Sequence, residues 1–135
     1  TPLSLGVFYV DKKMPEGVSK EAWWREQRYS IFNKLDGIIA TAHHLNDAAE
    51  TWLFTSMHGN PEIIPYRNKN VVRPFLRASR EEIVQWSQEK NVSYIEDETN
   101  QDLSFMRNRI RHNILPEVLK VNPGFLKVIK KKIVI

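Results

Sequence analysis

GIIATAHHLNDAAET, residues 37–51, decides the fold. Gly37 interrupts what precedes it, and the apolar IIAT that follows reads as a short buried strand. Polar residues come next, and a helix is expected to begin near Asp47 and stop before Gly59, a suitable residue just past a helix end. Upstream, Ser19 is placed to cap a helix running to about Leu35, with Trp24, Arg28, Ile31, Phe32 and Leu35 at helical spacing. Before that, LSLGVFYV (3–10) reads as another buried strand, joined through a polar connection holding Pro15 and Gly17. Strand, helix, strand, helix is the alternation of a parallel sheet with crossover helices. Downstream, residues 60–70 read as loop, and Val71–Val72 as a short strand stopped by Pro74. Ser79 and Glu82 form an S-x-x-E capping box opening a helix to about Lys90. Val92–Ile95 is expected as a strand, Leu103–Ile114 as a helix, and a last helix follows Pro116 or Asn122. The expected class is α/β: a partial parallel sheet with flanking helices and a helical C-terminal part. Residues 1–78 would hold the strand–helix repeats, 79–122 the helical part, and 123–135 a basic tail.

The chain has 135 residues and is 41% hydrophobic, enough for one domain with its own core. It has no Cys, which excludes disulfides, thiolate metal sites and a Cys nucleophile, and suits a reducing compartment. No apolar run approaches the roughly 18 residues of a spanning helix, so no membrane partner is expected. The first residue is Thr1 rather than Met, which favours a piece of something longer. Net charge is +4, unevenly spread: +3 over residues 1–80, −5 over 81–100 and +6 over 101–135. A basic C-terminal third suits an anionic partner such as nucleic acid; a solvated helix face is the plainer reading. The same two readings apply to Lys127 and Lys130–Lys132.

Two stretches carry candidate chemistry. TAHHLNDAAET (41–51) sits where a strand ends and a helix starts, which is where open parallel sheets bind ligands and where anions are favoured. His43, His44, Asp47 and Glu50 meet there. Asp47 and Glu50 also have the spacing of a capping box, and a carboxylate in that place can hold Mg²⁺ with phosphates completing the shell. A Zn or Fe hydrolase site is disfavoured, because adjacent His43 and His44 on a strand point to opposite faces. In EDETNQDLSFMRNRIRHNILP (96–116), Leu103, Met106, Ile110 and Ile114 form an apolar stripe flanked by Arg107 and Arg111. Asn108, Arg109 and His112 cover the remaining face. Three Arg in five residues can grip phosphate, or can pair with Asp97 or Glu98 instead. Arg73 before Pro74 is a lesser candidate, and Trp23 and Trp24 read as core and surface cover.

Taken together, these segments resemble the tRNA(Ile)-lysidine synthase family, a branch of the PP-loop ATP pyrophosphatases. KEAWWREQRYSIF (20–32) resembles its Glu-Ala…Arg…Arg-Tyr helix through Glu21, Ala22, Arg25, Arg28 and Tyr29. IATAHHLNDAAET resembles T-A-H-H-x-D/N-D-x-x-E-T, VVRPFL…SREEI (71–83) an R-P-L segment and its helix, and residues 96–116 an E-D-x-[ST]-N…R-N-x-[IL]-R…P stretch. The resemblance implies a cytoplasmic or organellar-stroma enzyme with a Rossmann-like PP-loop domain. It would use ATP and Mg²⁺ to adenylate the C2 oxygen of the wobble cytidine in tRNA(Ile) with a CAU anticodon. The ε-amine of free L-lysine would then displace AMP to give lysidine. It also implies that Asp47 is the essential carboxylate, placing Mg²⁺-ATP or acting as base. His43, His44, Glu50 and Arg107 would bind nucleotide, and Arg107, Asn108, Arg109, Arg111 and His112 would meet RNA.

The departures are specific. The family's S-G-G-x-D-S loop is missing, and no two of the five glycines lie within ten residues of each other. Leu3–Val10 then corresponds to a later strand of the family, with at least two β–α units expected upstream. Ala48 stands where Gln is common, Asn46 where Asp is common, and His58-Gly59 replaces Arg-Gly. The expectations are a truncated piece, a second chain supplying the loop, or a non-catalytic RNA-binding or scaffold remnant. A tRNA thiolase fits less well without Cys.

Overall fold

The computed structural model describes residues 3–135. The first helix, α1, spans Lys20–Lys34, and the Ser19 side chain accepts from the Ala22 N–H at its start, as expected. Gly37 follows with φ +89°, a left-handed conformation that a side chain would strain. β1 is Ile39–Ala40, α2 is Leu45–Met57, β2 is Arg67–Asn68 and β3 is Val71–Val72. Gly59, at φ +88°, closes α2 by donating to the Ser56 carbonyl. α3 covers Arg80–Glu89 and opens with the Ser79–Glu82 capping box. After a 3₁₀ turn at Glu98–Gln101, one helical path runs through α4 (Met106–Arg109), a π turn (Ile110–Ile114) and α5 (Leu115–Val121), and α6 covers Phe125–Lys132.

The sheet is small and mixed, in the order β1-β3-β2. β1 runs parallel to β3, with Ile39 opposite Val71 and Ala40 opposite Val72, while β2 and β3 form an antiparallel hairpin. The parallel pair is held by Ile39 N–H to the Asn70 carbonyl and Thr41 N–H to the Val72 carbonyl, at 2.8 and 3.0 Å. The Asn70 side chain donates to the Phe32 and Leu35 carbonyls, tying the end of α1 to the hairpin.

The core lies against α2. Leu45, Ala48 and Ala49 are buried with Ile64, Leu76, Leu115, Phe125, Ile129 and Ile133. Two small alanines let α6 approach, and Trp52 packs on Phe125 with ring centroids 5.9 Å apart. The last helix, expected after Pro116 or Asn122, follows Asn122, and it is packed rather than lying in a basic tail over 123–135: Phe125, Ile129 and Ile133 recur at helical spacing on one buried face. The lysines of its last turn lie between them, and Lys132 reaches over the Trp52 ring.

Three expectations are corrected. Leu3–Val10 forms no strand, and Leu5 and Tyr9 are about nine-tenths exposed. An apolar run signals a capacity for burial, but a strand needs a hydrogen-bonded neighbour, and none lies beside it among the described residues. Val92–Ile95 likewise forms no strand and is exposed; Val92 N–H ends α3 by bonding the Ser87 carbonyl. The helix expected over Leu103–Ile114 starts at Met106, because Asp102 and Ser104 form a local turn through the Asp102 carboxylate. It then widens into the π turn, in which Leu115 N–H bonds the Ile110 carbonyl. Pro116 explains the widening. It has no N–H to offer the His112 carbonyl, and its ring crowds that group. No helix among the described residues is long and apolar enough to cross a membrane.

Candidate functional site

The start of α2 differs in one useful way from expectation. The N-cap is His44, not Asp47, and its extended backbone (φ −122°, ψ −179°) precedes the first helical turn. The His44 ring accepts from the Asp47 N–H, and Asp47 Oδ2 accepts from the His44 N–H at 2.8 Å. Asp47 thus takes the third helical position of a capping box, the place usually held by Glu or Gln. Glu50, one turn on, is buried and has no capping role.

Glu50 instead meets the π turn. Arg111 Nε donates to Glu50 Oε1 at 2.9 Å and Nη2 to Oε2 at 3.2 Å, a two-pronged pair. The same Nη2 lies 3.4 Å from Asp47 Oδ1. Hydrogen bonding to Glu50 raises the Arg111 pKa above its ordinary value, against the lowering effect of burial. This pair joins α2 to the α4–α5 path and places both beside the Asp47 carboxylate.

An open cavity of about 450 Å³ lies beyond the carboxyl end of β1. Its walls are Arg28, Tyr29 and Phe32 of α1, the 40–43 segment, Asp47 of α2 and Arg107 of α4. Asp47 and Arg107, 60 positions apart in the chain, therefore face a common space. The Arg107 guanidinium is held by the Thr51 hydroxyl and has no ion-pair partner among the described residues. His43 Nδ1 is 2.8 Å from the Thr41 hydroxyl. Burial lowers the His43 pKa; Asp47 works against this, while Arg73, Arg107 and Arg25 reinforce it.

The other expected site residues fall elsewhere. His44 caps α2 and does not line the cavity, and Glu50 is locked to Arg111. Asn108 is buried and donates to the Thr99 and Asp102 carbonyls, bracing the 3₁₀ turn against α4. His112 bonds the Asn100 carbonyl, and exposed Arg109 bonds the Leu103 carbonyl. Asn46 accepts from the Arg80 N–H and so positions α3.

Two residues carry more than sequence reasoning gave them. Arg73 is 2% exposed, and its guanidinium donates to the Pro65 carbonyl and the Tyr29 hydroxyl at 2.8 and 2.7 Å. Tyr29 in turn lines the cavity. The available signal was Arg73 beside Pro74, an arginine in an apolar stretch. Its partner 44 positions away was invisible.

Among the described residues no three His, Asp or Glu side chains gather as a metal cage. The cavity wall offers one carboxylate, Asp47, whose Oδ2 is engaged by the backbone while Oδ1 has only a long contact to Arg111. That donor set fits a Mg²⁺ ion taking one protein oxygen and the rest from phosphates and water.

Residues 2–118 match the PP-loop domain family. Among curated relatives, the tRNA(Ile)-lysidine synthase of Lactiplantibacillus plantarum is 37% identical over 120 residues, covering 79% of this chain and 27% of that protein. Those of Francisella tularensis subsp. novicida and Thermosipho africanus are 34% and 39% identical, covering 83% and 75% of this chain and 31% and 26% of theirs. The chain thus spans about a quarter to a third of the length of the curated relatives it matches. With its strand-end cavity and a match over most of its length, this chain belongs to the PP-loop domain family, alongside relatives named tRNA(Ile)-lysidine synthase.

Proposed function

We propose that this chain is part of the catalytic domain of a tRNA(Ile)-lysidine synthase-like ligase. The observation that carries the reading is the meeting of His43, Asp47 and Arg107 on one cavity at a strand end. ATP would enter that cavity, and the C2 oxygen of the wobble cytidine would attack its α-phosphate, releasing pyrophosphate. The ε-amine of free lysine would then displace AMP and form the new C–N bond. Arg107 has no carboxylate partner, so its charge remains to stabilise a phosphate. Asp47 Oδ1 would supply one oxygen to Mg²⁺, which when bound offsets phosphate charge. Burial and nearby guanidinium groups lower the His43 pKa against the opposing effect of Asp47, and its ring stands at the same wall. Asn108 and Arg111 would serve as the frame of the site rather than as RNA contacts, since Asn108 is buried against two carbonyls and Arg111 is paired with Glu50. RNA contact would then fall to Arg107, Arg109 and His112, the last two of which are exposed. The glycine loop of the family has no counterpart in this sequence, so the reading includes a further polypeptide segment, in cis or on a second chain, that cradles the triphosphate.

The test is ATP-dependent incorporation of labelled lysine into a CAU-anticodon tRNA by the protein carrying this chain. Incorporation that is lost in Asp47→Asn supports the reading. Incorporation that persists undiminished in that variant refutes it.

A further inference from the structure

Arg73 is a buried cation without a counter-anion. It is 2% exposed, forms no ion pair among the described residues, and its Nε has no hydrogen-bond partner. Burying a guanidinium so incompletely satisfied is costly, and its presence calls for an account. Its Nη1 is anchored on the Pro65 carbonyl, and its Nη2 donates to the Tyr29 hydroxyl oxygen at 2.7 Å. A phenol oxygen that accepts from a guanidinium directs its own O–H elsewhere. Among the described residues no acceptor receives that proton, and Tyr29 lines the cavity beside Arg28 and Arg107. The Tyr29 ring is itself fixed, edge-on to Phe32 at 5.6 Å and under the Arg25 guanidinium at 5.4 Å. Arg25, Arg28 and Arg107 also lack ion-pair partners among the described residues. The one carboxylate on the wall, Asp47, already faces Arg111. Cationic charge is thus in excess around one neutral donor.

We propose that Tyr29 and Arg28 form an oxyanion subsite for a phosphoryl group, and that Arg73 is its positioning residue, holding the Tyr29 O–H toward the cavity. This rests on the function proposed above only in placing phosphate there; the subsite requires no particular acceptor base. The ligand chemistry is a phosphate oxygen, from a nucleotide or from an RNA backbone.

The experiment is a calorimetric titration of the protein carrying this chain with two probes, inorganic pyrophosphate and an RNA hairpin bearing a CAU loop. Tyr29→Phe removes one oxygen and keeps the ring packing, but it also takes an acceptor from buried Arg73, so affinities are compared at a temperature below the measured thermal midpoint of each variant. Affinity for one probe should fall roughly tenfold or more, as for loss of a hydrogen bond to a charged group. A loss confined to pyrophosphate assigns the subsite to a nucleotide, and a loss confined to RNA assigns it to the backbone. Arg73→Met should weaken the same probe, yet add little in the Tyr29→Phe background, because it acts through that hydroxyl. Arg73→Lys, which keeps the charge without the fork, should restore less than full affinity. Unchanged affinity of Tyr29→Phe for both probes would overturn the proposal, as would additive losses in the double variant or a wild-type protein that binds neither. Lysine incorporation is not part of this readout. Phosphate binding with the expected Tyr29 dependence but no lysine transfer would retire the proposed activity and leave the subsite standing.

Discussion

Asp47 does three things with one carboxylate. It accepts a backbone N–H at the start of α2, stands near Arg111, and faces the cavity. Asp47→Asn keeps an acceptor for the His44 N–H but removes the charge. Its thermal midpoint should move by only a few degrees, the scale of about 1 kcal/mol, while lysine transfer falls at least a hundredfold. A midpoint drop of tens of degrees with full specific activity would make Asp47 a cap alone. His43 gives a pH dependence. Its folded pKa lies below the unfolded value of about 6.5, so the unfolded chain binds more protons between the two. The contribution is therefore flat above about pH 6.5 and declines as pH falls toward the folded value. Thermal midpoints between pH 7.5 and 5 should show this slope, reduced in His43→Gln; an unchanged slope in that variant would place the effect elsewhere. At this scale the sequence was partly legible. The T-A-H-H stretch and Asp47 stood out because polar residues at a strand end are conspicuous. The capping role of His44 was hidden, since Asp47 is the commoner cap by type and only backbone geometry shows which residue precedes the first turn.

At the scale of elements, the Glu50–Arg111 pair couples α2 to the π turn. Removing Arg111 leaves the buried Glu50 carboxylate uncompensated, so Arg111→Ala should destabilise by about 3–5 kcal/mol. Replacing both, as in Glu50→Leu with Arg111→Met, should recover most of that loss in denaturant midpoints, because two apolar groups need no desolvated partner. If the double variant is as unstable as the single, the pair is not the link between these elements. Both ends of this link were visible as charged residues, but an ion pair across 61 positions has no periodic signature. The π turn was equally hidden, although Pro116 was its local cause. The capping boxes and glycine stops are short-range chemistry, and α1, α2 and α3 were accordingly legible. Val92–Ile95 and Leu3–Val10 failed because strand identity depends on a neighbour that local pattern does not specify.

Across the whole molecule, α6 is a structural element as well as a carrier of charge. Ile129 is fully buried against α2, and Ile129→Ala should cost about 2–5 kcal/mol. Lys131→Ala, on the exposed side, should leave stability within about 0.5 kcal/mol. Equal, negligible effects of both changes would return residues 123–135 to the status of a tail. The α/β class followed from the alternation of apolar runs and helical periods. The mixed character of the sheet did not, because the β2–β3 hairpin rests on Lys69 adopting a left-handed conformation that its side chain does not advertise. What unites residue, element and molecule is the cavity between α1, β1, α2 and α4, with Asp47 and Arg107 on its walls. Its occupancy is best tested by nuclear magnetic resonance titration of the protein carrying this chain with Mg²⁺-ATP. Shifts should concentrate at Tyr29, Thr41, His43, Asp47 and Arg107 and vanish in Arg107→Ala. Shifts confined instead to the apolar groove of α5, around Ile114, Val118 and Val121, would contradict a nucleotide site at the strand end.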